Sequence, residues 1–262
     1  MGWGDELMVT GQVRELQRAD PRKVRIEYER ARWSEVFDHN PRIARPEERG
    51  DFQVLRPRTN GLRPYCAAKS EVRWTWKAYR PPVGELYFSR DERRYAEQFA
   101  GAVVIEPTLK RKASPNKAWG WVRWQDLALL MVQAGLGPPL HLGPRDTPRL
   151  GYARFGEMPS FRHACAVLAL ARAAVLPEGG LHHAAAALGV PTVVIYGGYI
   201  SPEVTGYDTQ VNLFAKTDEH PLGCGWRTPC THCDAAMASI TPARVFDELR
   251  RLLETDPGRL AA

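Results

Sequence analysis

The chain has 262 residues, 44% hydrophobic and 25% charged, the balance of an ordinary globular protein rather than a fibrous or disordered one. No apolar run approaches a membrane span and the N-terminus lacks the basic-then-apolar pattern of an export signal, so no transmembrane segment and a cytoplasmic location are expected. The formal charge of +6 favours anionic partners such as nucleotides, phosphorylated sugars, nucleic acid or a membrane surface, but the basic residues are scattered, densest over 109–117 and between Arg42 and Arg63. Five cysteines, an odd number, point to free thiols or a metal rather than a disulfide framework.

Residues 4–20, GDELMVTGQVRELQRAD, carry apolar side chains at helical spacing, with a helix expected over Glu6–Gln17 that docks through Leu7, Val13 and Leu16. KVRIEYE alternates as a strand, and residues 39–83 are rich in Arg, Pro and Asn without sustained periodicity, which predicts short elements in long loops. SRDERRYAEQFAG is a helix capped by Ser89 and stopped at Gly101. From there AVVIEP (strand), GWVRWQDLALLMVQAGLG (amphipathic helix), PLHLGP (strand) and SFRHACAVLALARA (helix opened by Ser160) alternate regularly. The last helix begins at TPARVFDELRRLLETD, with Thr241 as cap and Pro242 at its first position. Alternation over 102–198 predicts a doubly wound α/β domain, and the first hundred residues read as a second, smaller one.

The most informative stretch is PEGGLHHAAAALGVPTVVIYGG, residues 177–198. Ala171–Leu176 is a short apolar run, Leu181–Leu188 a helix stopped by Gly189 and Pro191, and Thr192–Tyr196 a buried strand, together one βαβ unit. Gly179 and Gly180 leave the helix N-terminus without side-chain cover, so its N–H groups and dipole face whatever lies above the sheet. Either an anion binds there, or Glu178 merely caps the helix and the glycines merely turn the chain. In HPLGCGWRTPCTHC, Cys230 and Cys233 have the gap of a zinc knuckle, with Cys224 and His220 or His232 to complete four ligands, but no second two-residue pair.

Four stretches in this order resemble glycosyltransferase family nine, the heptosyltransferase-like enzymes of lipopolysaccharide assembly. GWGDELMVTGQVREL is similar to the family's glycine-rich loop and helix, and VVIEPTLKRKASPNKAWGWVRWQDLALLM to its strand, lysine–tryptophan loop and helix. PEGGLHHAAAALGVPTVVIYGGYISPEVTGY resembles its acid-x-Gly-x-x-His signature, and CTHCDAAMASITPARVFDELRRLL its closing segment. The resemblance implies an α/β, GT-B-like fold of two Rossmann-type domains flanking a cleft. Residues 1–98 would be a reduced acceptor-side domain. Residues 99–262 would be the nucleotide-sugar donor domain, with the last helix packing back on the first. Three departures stand out: the family's strand before the glycine loop has no counterpart ahead of Met1, so the sheet lacks it or the start lies upstream; Glu178 and Gly179 replace the usual Asp and Ser or Thr; and the N-terminal domain is short.

What the resemblance implies is an inverting, metal-independent glycosyltransferase with no cofactor, using a nucleotide-diphosphate sugar, ADP-activated by preference. The acceptor would be a lipopolysaccharide core or another hydroxyl compound, with peripheral membrane contact allowed. Asp5 matches the catalytic base, in a turn where a plain helix cap is the alternative. Lys117 matches the donor-phosphate lysine, with Lys110, Arg111 and Lys112 as rivals and Thr108 and Ser114 as extra hydroxyl donors. The N–H groups of Gly179, Gly180 and Leu181 would cradle the diphosphate, Glu178 would contact sugar hydroxyls and His183 the donor, with His182 left open. The cysteine loop reads as local structure, a structural zinc on Cys224, Cys230, His232 and Cys233 being the alternative. A second reading is a catalytically silent relative that binds a nucleotide sugar or a partner, and a nucleic-acid-binding protein ranks last because no such motif is present.

Overall fold

The computed structural model describes residues 2–28, 32–57, 63–110 and 113–255. Its centre is a six-stranded, wholly parallel sheet whose four inner strands are the apolar runs of the sequence: β5 (Val103–Ile105), β6 (Leu140–Gly143), β8 (Ala173–Pro177) and β9 (Thr192–Gly197). All are buried from end to end, as strands covered on both faces must be. The edge strands, β7 (Arg154–Glu157) and β10 (Val211–Phe214), complete the order β10-β9-β8-β5-β6-β7. Taken in chain order within the sheet, that is the 3-2-1-4-5-6 arrangement of dinucleotide-binding folds, with its switch point between β5 and β8.

Side chains alternate between two cores. Val103 and Ile105 of β5, with Ala173 and Val175 of β8, face α3 (Trp121–Gln133), α7 (Thr231–Ser239) and α8 (Pro242–Thr255). Val104, Ala174 and Leu176 face the opposite way, toward α4 (Phe161–Ala169) and α5 (Gly180–Ala187). The terminal helix α8 sends Val245 and Leu249 into the first core, against α3, β8 and β9. The expected return of this helix to the N-terminal segment gives way to packing on its own sheet, because its apolar stripe matches that face.

The N-terminal segment holds α1 (Trp3–Ala19), the parallel pair β1 (Val24–Ile26) and β2 (Gln53–Leu55), the antiparallel hairpin β3 (Cys66–Lys69) and β4 (Trp74–Trp76), and α2 (Arg90–Glu97). A four-residue helix, α6 (Pro202–Thr205), follows β9. α1 lies on α5 and α2 on α4, so Leu7, Val9 and Val13 of α1 share one core with Val104 and Leu176 of the sheet. Leu16, expected in that interface, is 37% exposed instead, one turn past the end of the apolar stripe. α2 is fastened by an ion pair between Arg162 and Glu92, in which Arg162 also donates to the carbonyls of Glu35 (2.8 Å) and Tyr87 (2.6 Å). Burial alone would push Glu92 up, but the Arg162 hydrogen bonds outweigh it and hold the carboxyl down at about 2.

Helix α1 also presses on the segment 82–85, where Thr10 Oγ1 accepts the Glu85 N–H at 2.9 Å and Arg14 donates to the Val83 carbonyl at 2.9 Å. A Cβ at Gly11 would stand 2.7 Å from the Pro82 carbonyl oxygen and 2.8 Å from that of Val83. In an open helix, Gly→Ala gains about 1 kcal/mol. Here overpacking against backbone costs about 1–3 kcal/mol and wins. Gly11→Ala should therefore lower stability by about 1 kcal/mol in urea denaturation, and a raised midpoint would show that the 82–85 segment yields freely.

Candidate active site

The loops that leave β5 and β8 diverge at the switch point and open a cleft of about 1300 Å³. Asp5, Thr108, Lys117, Glu178, Gly179, Gly180, Leu181 and His183 all line it, so one cavity brings together every residue assigned to donor or catalysis from the sequence. Lys110 lines it as well, while Arg111 and Lys112 lie outside the described residues.

Lys117 ends a single 3-10 turn, Pro115–Lys117, capped by Ser114. The turn is stapled from behind: Asn116 donates to the carbonyls of Trp226 and Thr228, each at 2.7 Å, and Ser114 Oγ donates to Trp226 at 2.9 Å. Ser114 thus spends its proton on the protein and is not the spare hydroxyl donor expected from its position. Lys117 itself pairs with Glu178 across the switch point. Burial would push Glu178 toward its neutral form, but the charge of Lys117 and hydrogen bonds from Lys117 and Thr205 outweigh it and hold the carboxyl below the usual range. Nothing in the sequence announces that these two side chains meet, since they lie 61 positions apart.

At the start of α5 the two histidines part company. His182 Nε2 lies 3.0 Å from the Thr205 carbonyl, and Nδ1 lies 2.9 Å from the Gly179 nitrogen and 2.6 Å from the Gly179 carbonyl oxygen. With the proton on Nε2, Nδ1 accepts the Gly179 N–H, and the first-turn N–H groups of Gly180 and Leu181, which have no helical carbonyl to reach, are those left for an anion. His182, left open by the sequence, is the helix cap. His183 is buried, with Nδ1 2.8 Å from the Tyr207 hydroxyl, and burial together with the nearby Lys117 charge keeps it neutral. Gly4 of α1 roofs its ring: a Cβ there would lie 2.4 Å from His183 Cδ2. Gly180 is equally constrained, since a Cβ would meet Phe161 at 3.1 Å and Trp3 at 3.2 Å, the two rings that stack at 5.1 Å.

Asp5 reaches the same cleft from the third position of α1, with Gly2 as the cap residue. Its Oδ2 accepts the Gly2 N–H at 2.9 Å and pairs with Arg63 at 3.0 Å, and its Oδ1 accepts the Tyr65 hydroxyl at 2.5 Å. Arg63 and Tyr65 fall in the aperiodic stretch that sequence reasoning passed over. Arg63 also sits over the Trp74 ring at 4.8 Å, where Lys69 and Arg227 approach at 4.9 Å and 5.1 Å, giving this wall a cationic and aromatic face. Farther along, Cys224, Cys230, His232 and Cys233 bring four ligand atoms within 4.8 Å of one another, while His220 is set aside, its ring edge-on to His232.

The family model for glycosyltransferase family 9 (heptosyltransferase) matches residues 63–228. Among solved structures, the glycosyl transferase family 9 protein from Veillonella parvula is similar over 97% of this chain and 95% of its own, at 13% identity and a TM-score of 0.66. The iron-containing dodecameric glycosyltransferase TibC from enterotoxigenic E. coli matches 97% of this chain and 74% of its own, at 14% identity and 0.61. E. coli ADP-heptose lps heptosyltransferase II is 22% identical over 68% of this chain with a TM-score of 0.49, and the chain spans only 56% of its length. At these identities the structural likeness shows a shared fold, that of the GT-B glycosyltransferases. No curated protein matches the sequence. No helix among the described residues is long and apolar enough to cross a membrane.

One carboxyl in the cleft was not foreseen. Glu106, directly after β5, has neither an ion-pair nor a hydrogen-bond partner among the described residues, and burial pushes it up to about 8. Between its ordinary value of 4.5 and about 8 it is protonated in the folded chain and ionised in the unfolded chain, so its contribution to stability falls as pH rises through that window. Glu106→Gln removes the titration. Denaturation of both proteins from about pH 5 to about pH 8 should show the parent losing stability relative to the variant, and a constant difference would place Glu106 in contact with water.

Proposed function

The chain belongs to glycosyltransferase family 9, the heptosyltransferases, and on that premise we propose that it transfers a sugar from a nucleotide-diphosphate donor to a hydroxyl acceptor, with inversion and without a metal at the diphosphate. One observation carries this reading: Lys117, the N-terminus of α5 and Asp5 line the same cleft at the switch point of the sheet. Residues 99–262 would hold the donor and residues 1–98 the acceptor. ADP is the favoured nucleotide because TibC, a structural relative, is described in complex with ADP-D-beta-D-heptose. The acceptor is a lipopolysaccharide core or another glycan, met at the cationic and aromatic wall.

In this scheme the diphosphate binds Lys117 and the N–H groups of Gly180 and Leu181, where the α5 dipole adds to the charge. Glu178, released in part from Lys117, accepts hydrogen bonds from sugar hydroxyls, and Thr108 donates one from the β5 loop. His183 acts one step back. It supports the α5 turn from below through Tyr207, rather than carrying charge. Asp5 takes the acceptor proton. An ionised carboxylate has about four lone-pair directions, and three are used by Gly2, Arg63 and Tyr65, which leaves one on Oδ1 for the incoming hydroxyl. As negative charge grows on the leaving diphosphate, the cations opposite it stabilise the transition state more than the ground state.

The same three contacts favour a second reading, in which Asp5 only anchors Arg63 and Tyr65 to α1 and the chain binds a nucleotide sugar without transferring it. Two variants separate the readings. Lys117→Ala should weaken ADP binding by about 1.5–3 kcal/mol in calorimetry, because a charge-assisted bond is lost and Glu178 is left buried without its partner. Unchanged affinity would move the phosphate site elsewhere. Asp5→Asn should leave ADP affinity intact and lower sugar transfer by about 10²–10⁴-fold. A parent protein that binds the nucleotide tightly and turns over none of a panel of donors would establish the silent reading.

A further inference from the structure

The sulfur cluster beside the Lys117 turn is unexplained by sugar transfer. Cys224 lies within the loop between β10 and α7, Cys230 is the residue before α7, and His232 and Cys233 lie in that helix's first turn. Cys224 Sγ is 3.1 Å from Cys233 Sγ and 3.7 Å from Cys230 Sγ, and His232 Nδ1 is 3.9 Å from Cys233 Sγ. A tetrahedral metal with thiolate bonds of about 2.3 Å sets its ligands about 3.8 Å apart, and the observed separations straddle that edge. Cys224 and Cys233 are buried, and all three thiols are free.

The surroundings are built for a metal as well. Thr217 Oγ1 lies 3.3 Å from His232 Nε2, on the far side of the ring, which turns Nδ1 toward the sulfurs. Gly198 makes room for that ring, since a Cβ there would stand 2.7 Å from His232 Cε1. Around the cluster the backbone is tied to the catalytic cleft. Cys230 N–H donates to Asn116 Oδ1 at 3.2 Å, and Arg73 donates to the Cys224 carbonyl at 2.9 Å.

We propose that Cys224, Cys230, His232 and Cys233 form a closed tetrahedral site for a thiophilic divalent metal, zinc or ferrous iron. All four positions are filled by protein side chains, so the ion is structural and stands apart from the diphosphate. It fastens the loop that ends at Cys230 to α7, and through Asn116 it holds the turn that carries Lys117.

The test uses the whole chain purified without chelator. Elemental analysis should find about one zinc or iron per chain, and the element found distinguishes the two ions. Protein stripped by chelator and titrated with Co²⁺ should reach saturation at about one equivalent, with a sulfur-to-cobalt charge-transfer band and the intense d–d bands of tetrahedral coordination. Cys230→Ser and Cys233→Ser should abolish that spectrum, whereas Cys66→Ser and Cys165→Ser should leave it unchanged. If the ligand variants fail to fold, the titration of the parent decides alone. Octahedral or unsaturable cobalt binding, or a Cys224–Cys233 disulfide in the purified chain with no bound metal, would overturn the site.

Discussion

The cleft depends on one ion pair, Lys117 with Glu178, drawn between the two loops that part at the switch point. A buried pair of this kind contributes little net stability, because desolvating both charges offsets most of their attraction. Its value lies in position. Without a ligand, each charge has a partner and neither needs to leave the wall. In the proposed reading, an arriving diphosphate would compete with Glu178 for the lysine, and the carboxylate so released would be free to accept hydrogen bonds from the sugar. Recognition would then exchange one set of charge-assisted bonds for another.

Support for that pair comes from two directions that sequence order does not connect. Behind Lys117 stand Asn116 and the carbonyls of Trp226 and Thr228, from the far end of the chain. Behind Glu178 stands Thr205, of the short helix α6, and His182, which caps α5 with one nitrogen and bonds Thr205 with the other. Two adjacent histidines thus have separate duties: His182 fixes the turn, and His183 fills the contact with α1.

Much of this was legible in the residues. The inner strands were readable because a parallel sheet covered on both faces requires continuous apolar runs. The edge strands were not: Arg154-Phe-Gly-Glu157 and Val211-Asn-Leu-Phe214 are half-exposed, and their pattern is that of a loop. The residues that the family resemblance assigned to the site, next to a glycine turn or a strand end, do line one cleft. Arg63 and Tyr65 were missed because what recruits them is a carboxylate about 60 positions earlier, and Asn116 because its partners lie more than a hundred positions later. Long-range pairing leaves no local period. The expectation that the last helix would turn back failed for a related reason: its apolar stripe states that it packs, not on what.

The shared core beneath α1 has a kinetic consequence. Leu7, Val9 and Val13 are embedded among side chains of the sheet and of α4 and α5, and the glycines at 4 and 180 leave room for the His183, Phe161 and Trp3 side chains between the two helices. A hinge between the halves would have to pull that core apart on every cycle, exposing several fully buried aliphatic side chains at about 1.5–3 kcal/mol each. In the proposed reading, α1 would stay docked on α5 and the sheet, and the separation between Asp5 and the α5 turn would be set by that packing rather than by a hinge.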